Sequence, residues 1–237
     1  MSSQKVFRHE FKYYINFFEY QVIRNRLKRI LSNDTYSNSN GNYHIRSLYF
    51  DDLHNSALYE KQSGILARRK FRIRIYNLSD KVIKLEKKSR IGQFINKESI
   101  QISKDDYQKI INKDFCFLKD SKFPLLNEFY FHLTASKIKP DVIVDYVREA
   151  YTSKISKIRI TIDKNLRTGL LSTNLFDKKS PTVDVIEKPL YVLEVKYNNF
   201  LPDFVKDAIQ LSSSQRYAIS KFVICKKFNK NNNWEDN

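Results

Sequence analysis

The chain has 237 residues and carries 43 lysines and arginines against 26 aspartates and glutamates, a formal charge of +17. At 41 % hydrophobic, with 15 Tyr and 17 Phe, it is too apolar for a disordered basic tail; it holds no apolar run of ~18 residues to span a bilayer, and its start, MSSQKVFRHEFKYY, lacks a signal-type apolar core. Two isolated cysteines, Cys116 and Cys225, exclude a disulfide framework and fit a reducing cytoplasm, while four glycines leave no GxGxxG or GxxxxGK[ST] phosphate loop.

In chain order, Arg8, Glu10 and Lys12 alternate with His9, Phe11 and Tyr13, the period of a half-buried strand. Asn16–Leu31 spaces Tyr20, Ile23, Leu27 and Ile30 as a helix with Asn16 as cap; Arg24, Arg26, Lys28 and Arg29 lie opposite, a solvated face by default. Residues 37–42 (SNSNGN) read as a loop, 43–51 as a strand and 52–62 as a short helix that the Asp51-Asp52 pair caps rather than a metal pair. KFRIRIY (70–76) and IKLE running on to Lys88 alternate again, and 93–102 is strand-like. Helices are expected over 104–112, after a Ser103 capping pattern, and over 125–135. Strands follow at 142–148, 157–163 and 193–197, then short helices at 202–212 and 214–222, and a frayed tail over 229–237. No repeat or linker interrupts the chain, so residues 1–228 read as one domain. Strands mixed with scattered helices give an α+β class.

Five of these strands place charges two or four residues apart on one face: Arg8/Glu10/Lys12, Arg72/Arg74, Lys84/Glu86/Lys88, Arg159/Asp163 and Glu194/Lys196. A single charged face is unremarkable. Five, dominated by Arg and Lys, repel one another across neighbouring strands unless carboxylates or an anion neutralise them. Curling the sheet into an antiparallel β-barrel puts this face inside a basic tunnel and the apolar faces outside, under helices. Such a bore suits a phosphate chain, with Arg as a bidentate fork and Lys as a point charge. A glutamate there balances charge or holds Mg²⁺ or Mn²⁺. No nucleic-acid motif accompanies the charge, and His9, His44, His54 and His132 are scattered, each a surface or packed residue rather than a base.

The stretches RHEFKYYI (8–15), SLYFDD (47–52), RRKFRIRIY (68–76), KLEKKSRIG (84–92), NKESI (96–100), DVIVDYVREAY (141–151), KIRITIDKNL (157–166), YVLEVKY (191–197) and SKF (220–222) resemble, in this order and spacing, the VTC domain. That is the polyphosphate polymerase domain of vacuolar transporter chaperone complexes and bacterial relatives, in the triphosphate tunnel metalloenzyme (CYTH-like) superfamily. The resemblance runs from about Phe7 to Phe222. It implies a triphosphate tunnel fold and a divalent metal. It also implies γ-phosphoryl transfer from ATP to a growing polyphosphate chain, or, as alternatives, tunnel-type hydrolysis or polyphosphate binding without turnover. By position it assigns catalytic roles to Arg72, Arg74, Lys88 and Lys196. Phosphate binding falls to Lys12, Lys97, Arg148, Arg159 and Lys221, and metal binding to Glu194, with Glu10 and Glu86 as further metal or charge-balance candidates. The implied partners are ATP and polyphosphate, not nucleic acid, with coupling to transport through separate membrane proteins. Two departures stand out: Arg8 replaces the first glutamate of the superfamily's ExExK strand, and Ala218 stands where a basic residue often precedes the closing motif. Asp163 has no assigned role. On the expectation that the empty face is repulsive, Arg72→Ala or Arg74→Ala leaves the fold intact and even raises its thermal stability.

Overall fold

The computed structural model describes residues 8–34, 36–92, 94–153, 157–170, 172–187, 189–210 and 215–232, Arg8 through its backbone alone. The chain is α+β, and every pairing described below is antiparallel. The strands are β1 (Arg8–Ile15), β2 (Ser32–Asn33), β3 (Asn42–Asp51), β4 (Ala67–Tyr76), β5 (Ser79–Ile91), β6 (Phe94–Ile102), β7 (Lys139–Ser153), β8 (Ile158–Thr168), β9 (Val183–Asp184) and β10 (Tyr191–Asn198). They are hydrogen-bonded in the order β1-β10-β8-β7-β3-β4-β5-β6, with β2 beside β7 and β9 beside β8, an order that is open at β1 and β6. The helices are α1 (Phe17–Ile30), α2 (Ser56–Gln62), α3 (Lys104–Ile111), α4 (Pro124–Thr134), α5 (Asp203–Ala208) and α6 (Lys221–Asn232). The chain forms two compact units: Met1–His44, Tyr146–Leu166 and Ile186–Ser220 in the first, Ile45–Asp145, Arg167–Val185 and Lys221–Asn237 in the second.

In the first unit, β1, β10 and β8 turn one face to α1 and α5. Period-two alternation puts Leu193 and Val195 with Ile158, Ile160 and Ile162 on that face, where they pack on Tyr20, Ile23, Leu27 and Val205. Asn16 starts α1 with a reciprocal capping box: its side chain accepts from the Glu19 N–H and Glu19 accepts from its own (both 3.0 Å). Glu149 of β7 is buried here among Tyr20 (2.7 Å), Tyr151 (2.9 Å), Lys164 (2.6 Å) and Arg24 (3.1 Å). Burial pushes its carboxyl up, but these donors outweigh that and hold it below its usual value. Arg24 of the basic helix is therefore committed inward.

In the second unit, Leu48, Phe50, Phe71, Ile73, Ile75, Ile83 and Leu85 form the apolar face of β3–β5 and pack against Tyr107 and Ile110 of α3 and Phe129 and Leu133 of α4. The N-cap of α2 is Asn55, not an aspartate, and its side chain makes no cap bond; Asp51 and Asp52 instead reach the first turn from upstream, their carboxylates accepting from Ala57 N (2.9 Å) and Ser56 N (2.9 Å).

Two expectations fail at the C-terminus. Residues 215–220 are not helical; Tyr217 instead donates its N–H to the Lys12 carbonyl (3.0 Å), meeting the outer edge of β1. The tail does not fray at 229, because α6 runs on to Asn232 and buries Asn229, which accepts from Thr168 Oγ1 (2.9 Å) and donates to the Leu170 carbonyl (2.7 Å). Residues 233–237 lie outside the described residues.

Candidate functional site

Each unit carries a polar face on the side of its strands opposite the apolar core. In the second unit, register alone builds it. Tyr49 of β3 faces Arg72 of β4, Arg72 faces Glu86 of β5, and Glu86 faces Ser99 of β6. The next row is Ser47, Arg74, Lys84 and Gln101. On the other side of Arg72, Lys70 faces Lys88, which faces Lys97.

Glu86 is the hub. It is 2 % exposed. Its Oε2 accepts from Arg72 Nε (2.6 Å) and lies 2.6 Å from Arg72 Nη2 and 3.7 Å from Arg74 Nη1, while its Oε1 meets Lys97 Nζ at 2.5 Å. Burial alone raises a carboxyl; Arg72, Arg74 and Lys97 more than reverse this and hold Glu86 far below the usual carboxylate range. Arg72 also donates from Nη1 to the Tyr49 hydroxyl (2.7 Å), and Arg74 donates from Nε to Ser47 Oγ (3.1 Å). Burial pushes the Tyr49 hydroxyl up, but the two guanidiniums win and its net shift is down. Tyr49 leans on Phe222 of α6 (ring centroids 5.0 Å), the residue after Lys221, which opens that helix.

In the first unit, Glu10 and Lys12 of β1 face Lys196 and Glu194 of β10, and Glu194 and Lys196 face Thr161 and Arg159 of β8. Lys12 lies 3.1 Å from Glu10 and donates to the Ile219 carbonyl (3.1 Å). Lys196 pairs closely with Glu194 and lies 3.7 Å from Glu10. Glu194 is 5 % exposed, and Thr161 beside it is 3 % exposed, its hydroxyl without a hydrogen-bond partner among the described residues.

Asp163 neutralises Arg148, not its own strand's Arg159: the pair is bidentate, at 2.6 and 2.8 Å. Burial opposes charge on Arg148, and Asp163 more than restores it. Arg159 turns instead to Asp34 (2.6 Å) and the Tyr43 hydroxyl (3.1 Å).

The residues singled out in the sequence thus fall into two sets. Arg72, Arg74, Glu86, Lys88, Lys97 and Lys221 belong to the second unit, and Glu10, Lys12, Arg148, Arg159, Glu194 and Lys196 to the first. Tyr49, Ser47, Asp34, Tyr43 and Thr161 were missed. Tyr49 and Ser47 sit two apart in SLYFDD and carried a period-two signal, but a Tyr or Ser in a strand looks like packing until a guanidinium is found against it.

Among the described residues no three His, Cys, Asp or Glu side chains group as a metal site, and no helix is long and apolar enough to cross a membrane. Cys225 is buried, which pushes its thiol far up and leaves it unreactive; Cys116 is exposed.

Sheet faces whose arginines are seated on buried carboxylates, with cations in surplus, leave positive charge for an anion to meet. The chain belongs to the VTC domain family, whose model matches residues 7–228. No curated protein matches it. Among solved structures it is similar to a putative adenylate cyclase from Bacillus halodurans (12 % identity, TM-score 0.49, covering 79 % of this chain and 78 % of that one). It is also similar to a protein from Pyrococcus horikoshii OT3 (13 % identity, TM-score 0.44, covering 86 % and 84 %).

Proposed function

We propose that the chain is a polyphosphate polymerase that transfers the γ-phosphoryl group of ATP to the end of a polyphosphate chain and releases ADP. The observation that carries this reading is the charge count around Glu86: three cations, Arg72, Arg74 and Lys97, meet one buried carboxylate. The surplus of two positive charges, held in place by that carboxylate, is a ready site for phosphate oxygens. In the transfer, a terminal oxygen of the acceptor chain forms the new bond to the γ-phosphorus while the bond to the β,γ-bridging oxygen breaks. This chemistry asks for positioning and charge neutralisation rather than for a base. Lys88 and Lys221 of the same unit would add to the positive field.

A divalent cation fits the first unit. Glu194 and Glu10 lie diagonally across β1 and β10, and the buried Thr161 hydroxyl adds a third hard oxygen donor. Carboxylate oxygens completed by substrate phosphates and water suit Mg²⁺ or Mn²⁺. Such an ion would neutralise phosphate charge. Glu86 holds Lys97 and Arg72 at 2.5 and 2.6 Å, closer than the 3.1 and 3.7 Å of Lys12 and Lys196 from Glu10, and serves as charge balance.

Incubation with ATP and Mn²⁺ tests the reading. Long polyphosphate chains are expected; orthophosphate alone means a tunnel-type hydrolase, and neither product means a binding module. Glu194→Gln and Arg72→Ala should each abolish chain formation, and an unchanged Glu194→Gln enzyme would remove Glu194 from the reaction.

A further inference from the structure

Lys70 was not among the residues the sequence marked out, yet it stands on the same polar face as Arg72 and Arg74, two residues before Arg72 and so ~7 Å away along β4. Its Nζ sits 4.0 Å from the centre of the Phe222 ring. Phe222 is 2 % exposed and also bears Tyr49, which in turn holds Arg72. One ring therefore seats both the lysine and the support of the neighbouring arginine.

We propose that Lys70, with its cross-strand neighbour Lys88, forms a second anion subsite that takes a linear polyphosphate onward from the Arg72–Arg74 pair. This rests on reading the Arg72–Arg74 face as the place where phosphates bind. The charges around Lys70 favour such a ligand. Lys61 of α2, Arg68 of β4 and Lys88 of β5 are cations; Asp51 of β3 and Glu60 of α2 are the acids that oppose them. Asp51 is turned to the start of α2, its Oδ1 accepting from Asp52 N and Ala57 N. Among the described residues no carboxylate lies within ion-pair distance of Lys70. Burial first, and then the neighbouring cations, push its ammonium down to about 7. A phosphate chain arriving there supplies the missing counter-charge and favours the protonated form, while the aromatic ring accepts the cation from behind. The ligand class is thus a phosphate chain longer than a triphosphate.

The test measures binding of tripolyphosphate and of long-chain polyphosphate to the full chain by calorimetry, in the wild type and in Lys70→Met, Lys70→Arg and Arg72→Ala. Lys70→Met is expected to weaken the long chain about tenfold and tripolyphosphate less than about twofold, the loss of roughly one charge-assisted contact. Arg72→Ala should weaken both. Wild type at pH 8 should take up a proton on binding the long chain, seen as a buffer-dependent heat, whereas Lys70→Arg should bind without that uptake. A Lys70→Met protein that binds both ligands like wild type, or loses both equally, overturns the second subsite while leaving the Arg72–Arg74 reading intact. A wild type that binds neither ligand, or an Arg72→Ala protein that binds both unchanged, overturns the reading of the Arg72–Arg74 face and the subsite with it.

Discussion

Glu86 decides how the basic face can exist without a ligand. Three cations would repel one another across β4, β5 and β6, but a carboxylate at 2 % exposure brings Arg72 to 2.6 Å and Lys97 to 2.5 Å. This reverses the expectation that an arginine on this face is removed at a gain in stability: without Arg72, a buried carboxylate loses one of its two close partners. Glu86→Gln should lower the unfolding free energy at pH 7 by about 3 kcal/mol, the usual cost of breaking a buried pair and leaving like charges together. The sign with pH follows from the depressed carboxyl. The unfolded carboxyl titrates near 4.5 and the folded one well below it, so the contribution is fully present above pH 4.5 and is lost as the pH falls toward the folded value. Urea midpoints of wild type and Glu86→Gln should differ most at pH 7, and the gap should narrow steadily as the pH falls below 4.5. A gap independent of pH would show that Glu86 acts through packing alone.

At the scale of elements, period two was a strong guide because each strand has one apolar and one charged side. KFRIRIY and KIRITID sort their isoleucines from their cations in the sequence, and β4 and β8 realise that sorting. Residues 142–148 named only the middle of β7, which extends over Lys139–Ser153, because its ends carry the charged Asp141 and Glu149, which are held by polar partners. Asp141 meets Lys226 of α6, and Glu149 meets four donors. Partners so far apart in sequence leave no local mark. The same holds for Asp163: its place beside Arg148 depends on β7 and β8 being neighbours, so spacing could not choose between Arg148 and Arg159. The end of α6 was missed for a compositional reason, since NKNN (229–232) lacks apolar residues and its anchor is an asparagine. Asn229→Ala should therefore destabilise the chain by about 1–3 kcal/mol, leaving Thr168 Oγ1 and the Leu170 carbonyl unmatched in a buried setting. Chemical denaturation measures this directly, and a variant as stable as wild type would mean that the last turn of α6 contributes nothing to the fold.

For the molecule as a whole, the surplus of +17 acts in two ways that can be separated. Diffuse charge repels itself and is relieved by any salt. Charge fixed by carboxylates, as around Glu86 and along Arg148–Asp163 and Arg159–Asp34, is already relieved pairwise and gains only from an anion that fits. Tripolyphosphate at about a hundred times its dissociation constant should raise the unfolding free energy by about 2.7 kcal/mol through binding to the folded state alone, and sodium chloride at the same ionic strength should raise it far less. The stabilisation by tripolyphosphate should shrink in Arg72→Ala, because that variant loses a contact donor, while the small effect of sodium chloride should persist, because one charge in a surplus of +17 changes the diffuse field little. Thermal melts of the two proteins in the two salts separate the accounts. Equal shifts from tripolyphosphate and sodium chloride at matched ionic strength would reduce the basic face to general screening and remove the reason to expect a phosphate chain on it.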